Sequence, residues 1–84
     1  MGWHWDAYNN DEWLFMLEDG DFYDCMGHVK KIKGMMPYKA TIEHSRGKTR
    51  YFDYLTDAKR YIEDFWGVKI TKKRTGKSKW VRLV

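Results

Sequence analysis

Cys25 and His28 stand three residues apart, with Asp24 beside them and His44 further along, and all four are side-chain types that bind zinc. A structural zinc site needs four ligands closing a tetrahedron, whereas this chain offers one cysteine and scattered imidazoles. No metal site is expected, and Cys25 reads as a small, packed apolar residue. His44 and Ser45 put a base and a nucleophile side by side, yet neighbours on a strand point to opposite faces, so they make no acyl-transfer couple. Glu63 and Asp64 are adjacent carboxylates on what reads as an exposed helix face, where neither has the desolvation that tunes a general acid. No glycine-rich loop has the spacing that cradles phosphates. The expectation is a protein that is not an enzyme and holds no cofactor.

What the residue types do favour is contact with phosphates. Residues 1–24 hold seven acids and no Lys or Arg, a net charge of −7, while residues 25–84 hold all 16 Lys and Arg against five acids, a net charge of +11. The chain thus reads as an acidic, Trp-rich leader (1–24) followed by a basic α+β domain (25–84). Dense Lys and Arg are rewarded by counterion release on a polyanion, so DNA or RNA is the expected partner. The candidate contacts are Lys30, Lys31, Lys39, Arg46, Lys48 and Arg50 in one group and Lys72, Lys73, Arg74 and Lys77 in another. Trp80 would either stack on a base beside that second group or pack inward, as large rings favour. A solvated basic surface, with lysines guarding an edge strand, is the plain alternative.

The elements that must position these residues follow from periodicity. With 84 residues there is room for one domain and one modest core, and five Trp in an 18% aromatic share mean that a few large rings fill it. Ala58, Tyr61, Ile62, Phe65 and Trp66 recur at helical spacing, predicting an amphipathic helix over 56–66 with Thr56 as N-cap, Asp57 in its first turn and Gly67 ending it. Lys59 with Glu63, and Arg60 with Asp64, then face solvent. Tyr38, Ala40 and Ile42 alternate with polar residues, and Ser45-Arg46-Gly47 turns the chain into a return arm over 48–52. An earlier strand over 28–33 completes a three-stranded meander. Alternation at Val68 and Ile70, a basic turn over 73–77 and an apolar stretch over 80–84 predict a closing hairpin. The fold class is therefore α+β: a small antiparallel sheet, a three-stranded meander, packed on one amphipathic helix, with a C-terminal β-hairpin.

In the leader, residues 11–17 read as a short helix capped by Asn10 and ended by Gly20, or as a segment that folds only against a partner. In that second reading Trp3, Trp5, Trp13, Leu14 and Phe15 are protein-binding anchors, and cutting away residues 1–20 leaves the body folded. A third reading has the leader folding onto its own basic body, or onto that of a neighbour in a homodimer. The longest uninterrupted apolar run is Trp13 to Leu17, far short of a membrane span, and the first residues carry neither the basic region nor the apolar segment of a secretion signal. A cytoplasmic protein with no membrane partner is the expectation.

The stretch 27–65 resembles the three-stranded sheet plus helix of plant ethylene-response-factor DNA-binding domains and of the arm-type domains of phage integrases. Gly27 opening a basic strand, Tyr38-Lys39-Ala40-Thr41-Ile42, Arg50-Tyr51-Phe52-Asp53 and Thr56-Asp57-Ala58-Lys59-Arg60-Tyr61 carry the likeness. The resemblance implies a sheet that enters the DNA major groove with the helix behind it, and Lys30, Lys31, Lys39, Arg46, Lys48 and Arg50 as contacts. Residues 38–73 also resemble small podophage inhibitors of host RNA polymerase, which implies a phage-encoded protein acting on a host protein such as the transcription machinery.

Overall fold

The structure, a computed structural model, describes residues 2–46 and 48–72. Five strands, β1 (Gly2–Asn9), β2 (Glu12–Asp19), β3 (Phe22–Lys31), β4 (Tyr38–Ile42) and β5 (Thr49–Phe52), form one antiparallel sheet in chain order, and α1 (Leu55–Trp66) follows. The helix packs on one face of the sheet, chiefly over β4, with β3 and β5 on either side of it. The α+β class is as expected, but the three-stranded meander is the β3–β4–β5 part of a larger sheet.

The largest difference lies in residues 11–17, which form β2 rather than a helix. Trp13, Phe15 and Leu17 point to the helix side while Leu14 and Met16 point to the other, and Met16 is only 7% exposed. A strand that carries apolar side chains on both faces loses the alternation that would announce it, leaving an apolar run of ambiguous period. Short turns set the register on either side. Between β1 and β2 the Asp11 N–H donates to Asn9 Oδ1 at 2.8 Å and Asn9 Nδ2 donates to Glu12 Oε1 at 2.9 Å, the local side-chain bonding that makes Asn a turn former. Between β2 and β3 the pair Asp19 and Phe22 closes a two-residue turn at Gly20-Asp21, so Gly20 turns a hairpin rather than ending a helix.

Cross-strand partners share a face, so the register reads out the core directly. Trp5, Phe15, Gly27 and Ile42 lie in one row across β1 to β4, and Trp13, Val29 and Ala40 in the next. Phe15, Val29, Ala40 and Ile42 from the sheet close on Ala58 and Ile62 from the helix. Gly27 is what lets the helix in: a Cβ there would lie 2.6 Å from Ile62 Cγ2 and 3.1 Å from the Thr41 carbonyl oxygen. Beside it, β3 bulges, with Phe15 opposite Gly27 and Met16 opposite Cys25, and the carbonyl of Met26 accepts a 2.9 Å bond from Trp66 Nε1 as well as a 3.1 Å bond from the Glu43 N–H. That bond fastens the last turn of α1 to the middle of the sheet.

The helix itself departs from expectation at its start and in its buried stripe. It begins at Leu55, with Tyr54 as an extended N-cap making no side-chain capping bond, so Thr56 sits inside the first turn. Gly67 ends it in the left-handed conformation, as expected (φ 74°). The buried stripe runs through Ala58, Ile62 and Glu63, while Phe65 is 44% exposed.

Glu63 is therefore not a solvent-facing residue. It is 1% exposed, and four donors converge on its carboxylate: Trp5 Nε1 at 2.7 Å, Thr71 Oγ1 at 2.6 Å, and the N–H groups of Ile70 and Thr71 at 3.1 and 3.0 Å. Burial alone would raise its pKa, but the bonds from Thr71, Trp5 and Ile70 outweigh it and hold the carboxyl below its ordinary range. Lys59, one turn earlier, lays its ammonium 5.3 Å from the Trp5 ring centroid, and burial lowers its pKa. The same network explains why 68–71 are not a strand: the N–H groups of Ile70 and Thr71 that a hairpin would use are spent on Glu63. The rest of the expected hairpin, including the apolar stretch over 80–84, lies outside the described residues.

Candidate functional site

With α1 covering one face of the sheet, the other face is open, and its residues follow from the register. Glu12, Lys30, Lys39 and Tyr51 form one cross-strand row over β2 to β5. Asp6, Leu14, His28, Thr41 and Thr49 form the next, and His4, Met16 and Cys25 a third on the β1 side. The open face is thus divided, with basic residues toward β4 and acidic ones toward β1.

On the acidic side the polar groups satisfy one another. Tyr23 Oη donates to Asp6 Oδ2 at 3.2 Å, His4 Nε2 lies 3.4 Å from the same oxygen, and His28 Nδ1 lies 2.8 Å from Glu43 Oε2. His44, a left-handed residue with φ 61°, places Nε2 2.8 Å from Asp24 Oδ2. Cys25 donates its thiol to the Gly27 carbonyl at 3.2 Å, and burial pushes its pKa up, which disfavours the thiolate that metal binding or nucleophilic attack needs. Among the described residues no three His, Cys, Asp or Glu stand together as a metal-ligand group.

The basic side is different. Lys30 and Lys39 are directly opposed, and neither is in an ion pair among the described residues, where the pairs recorded are those of the three histidines. Glu12, the acid in their row, is held toward its own turn by Asn9. Tyr51, 46% exposed, stands beside Lys39 on the open face.

The ten expected phosphate contacts do not share one surface. Lys30 and Lys39 lie on the open face, whereas Lys31 and Arg50 fall on the register positions of the helix side. The Arg50 guanidinium carbon sits 5.9 Å from the Phe52 ring and 5.8 Å from the Tyr61 ring, rings that are themselves 5.5 Å apart, so it braces β5 against α1. Arg46 and Lys48 flank the β4–β5 loop and Lys72 follows the helix, all exposed. Lys73, Arg74 and Lys77 lie outside the described residues. Tyr51 was missed, and strict alternation from Arg50 in a strand opposite Lys39 was the signal that could have found it.

The aromatic anchors expected in 1–24 are largely in the core. Phe15 is fully buried, with Trp5 4.7 Å and Trp3 5.1 Å from it between ring centroids, and Trp13 meets Tyr38 at 6.1 Å. Leu14 alone of the five lies on the open face, half-buried between Asp6 and His28. No described helix is long and apolar enough to cross a membrane. Comparison with family models, with curated proteins and with solved structures finds no match.

Proposed function

We propose that this protein binds nucleic acid through the β3–β5 half of its open sheet face, with Lys30 and Lys39 on phosphates and Tyr51 against a base or sugar. The observation that carries this reading is the opposed pair of lysines. Like charges directly across a ladder cost roughly 0.2–1 kcal/mol, and an anion bridging both would reverse the sign of that term. An aromatic ring next to two cations is the combination that tracks a charged backbone while offering a stacking surface. The chain order β3, β4, β5, α1, with the helix behind and the sheet open, also suits the DNA-binding domains that the sequence resembles. The protein-binding alternative is the weaker, because the rings it relied on pack against one another.

Titration of the full chain with duplex DNA at several salt concentrations tests this. The double variant Lys30→Gln/Lys39→Gln is expected to reduce the slope of log affinity against log salt by about 2, while leaving the fold intact. Tyr51→Ala is expected to weaken binding by about tenfold with the slope unchanged. Absence of binding by the full chain at low salt would refute the reading.

A further inference from the structure

The most exposed apolar group in the described residues belongs to the loop between β3 and β4. Met35 is 95% exposed and Met36 47%, in a five-residue stretch, 33–37, closed at its neck by the Ile32 N–H donating to the Pro37 carbonyl at 2.7 Å. Gly34 has φ 137°, a backbone region that side-chain-bearing residues rarely adopt. The neck is tied again where the Lys31 N–H donates to the Asp11 carbonyl at 2.7 Å. Two thioethers are therefore held out on a short, fastened loop rather than folded onto the core.

Their neighbours carry charge. Lys31 pairs with Tyr38 at the foot of the loop, Lys30 and Lys39 oppose each other one step further in, and Lys33 stands exposed on the loop itself. Glu12, opposite Lys30, is held toward its own turn by Asn9, and the other acids near this end of the sheet are Asp11, on the adjacent β1–β2 turn, and Asp53, just after β5. They disfavour phosphates over the rim and leave the lysine row on the open face as the approach.

We infer that Met35 and Met36 form a wedge that enters a duplex between adjacent base pairs while the Lys30–Lys39 row holds the phosphates beside it. This rests on the nucleic-acid reading above and adds to it that the partner is a duplex and is deformed. An unbranched, polarisable thioether suits insertion into a stack, and apolar side chains used in this way unstack a step and kink the helix axis. A membrane is the other partner an apolar tip with a basic rim can serve. The layout disfavours it, because Lys30, Lys39 and Tyr51 form a cross-strand row on the open face beside the tip, whereas the rim that an anionic membrane plane would meet around the tip carries Asp11 and Asp53. Two methionines also give little apolar area for insertion.

The test uses the full chain and the double variant Met35→Ser/Met36→Ser, with a short duplex carrying 2-aminopurine at a central TpA step, a step that unstacks easily. Binding of the full chain is expected to raise the fluorescence of the probe. The variant, altered only at exposed positions, is expected to bind about tenfold more weakly with the same salt slope and no rise. Binding without a rise, or an equal rise with the variant, would overturn the wedge while leaving the nucleic-acid reading standing. No binding of the full chain to any duplex would overturn both. Binding to phosphatidylserine vesicles that needs the two methionines, without unstacking of the duplex, would overturn the wedge in favour of a membrane surface.

Discussion

At the scale of single residues, Glu63 shows how a charged side chain becomes part of a core. Its carboxylate is removed from water, yet it accepts bonds from Trp5, Ile70 and Thr71, so the loss of hydration is offset by charge-assisted donors. The bonds also link the edge strand β1, distant in sequence, to the helix and to the segment after it. Because the folded carboxyl is held below the ordinary value of 4.5, its contribution to stability is present in full above that value. It is lost as pH falls through it toward the lower folded value, where the unfolded chain binds the proton first. Glu63→Gln is expected to cost about 3 kcal/mol at neutral pH, since an amide puts two donors where four already converge. It should also flatten the fall in stability as pH drops below the ordinary carboxyl value of 4.5. Urea denaturation followed by Trp fluorescence at several pH values measures both, and an unchanged acid slope in the variant would show that other carboxylates govern it. Nothing in the sequence marked Glu63, because Lys59 four residues earlier made it look like half of an exposed pair.

Between elements, the closeness of α1 to the sheet is set at Gly27. Ile62 sits over it, fully buried between residues of β2 and β4, and the Thr41 carbonyl on the other side is backbone, so an added methyl has nowhere to go. Gly27→Ala is expected to destabilise the protein by about 1–3 kcal/mol through overpacking. Combined with Ile62→Ala the loss should be smaller than the sum of the two single losses, a coupling that a double-mutant cycle in urea reads directly. The helix and the hairpin of β4 and β5 were legible in the sequence because each has one covered face, and periods of 3.6 and 2 survive where one face is polar. Elements whose pattern is broken were not legible. β2 carries Leu14 and Met16 on its far face and so lost its alternation. Residues 68–71 kept theirs, yet form no strand because a side chain from the preceding helix takes their N–H groups. Within the candidate site, Lys30 and Lys39 could be named from charge alone. Their opposition needed a register that hydrophobic pattern does not fix between two polar positions.

For the whole molecule, the sharp change of charge near residue 24 falls inside β3, so the acidic and basic parts of the chain are adjoining strands of one sheet. β1 and β2 supply Trp3, Trp5, Trp13 and Phe15 to the same core that Ile42 and Ile62 complete, and β1 supplies one of the four donors to Glu63. Removing residues 1–20 would strip Phe15 from the centre, expose the helix side of α1 near Trp66, open the long edge of β3, and leave a buried carboxylate short of a partner. Loss of one large buried ring alone costs about 3–5 kcal/mol, within the range of total stability for a domain of this size. The chain beginning at Asp21 is therefore expected to lack a cooperative unfolding transition, against the expectation from sequence that the body would stay folded without its leader. Denaturation curves and amide chemical-shift dispersion for 21–84 and the full chain decide it. A cooperative transition and dispersed shifts in the shorter chain would mean that β3, β4, β5 and α1 fold by themselves and that β1 and β2 are an addition to them. Loss of both would mean that any binding assigned to the open face has to be measured on the full chain, since the surface exists only when all five strands are present.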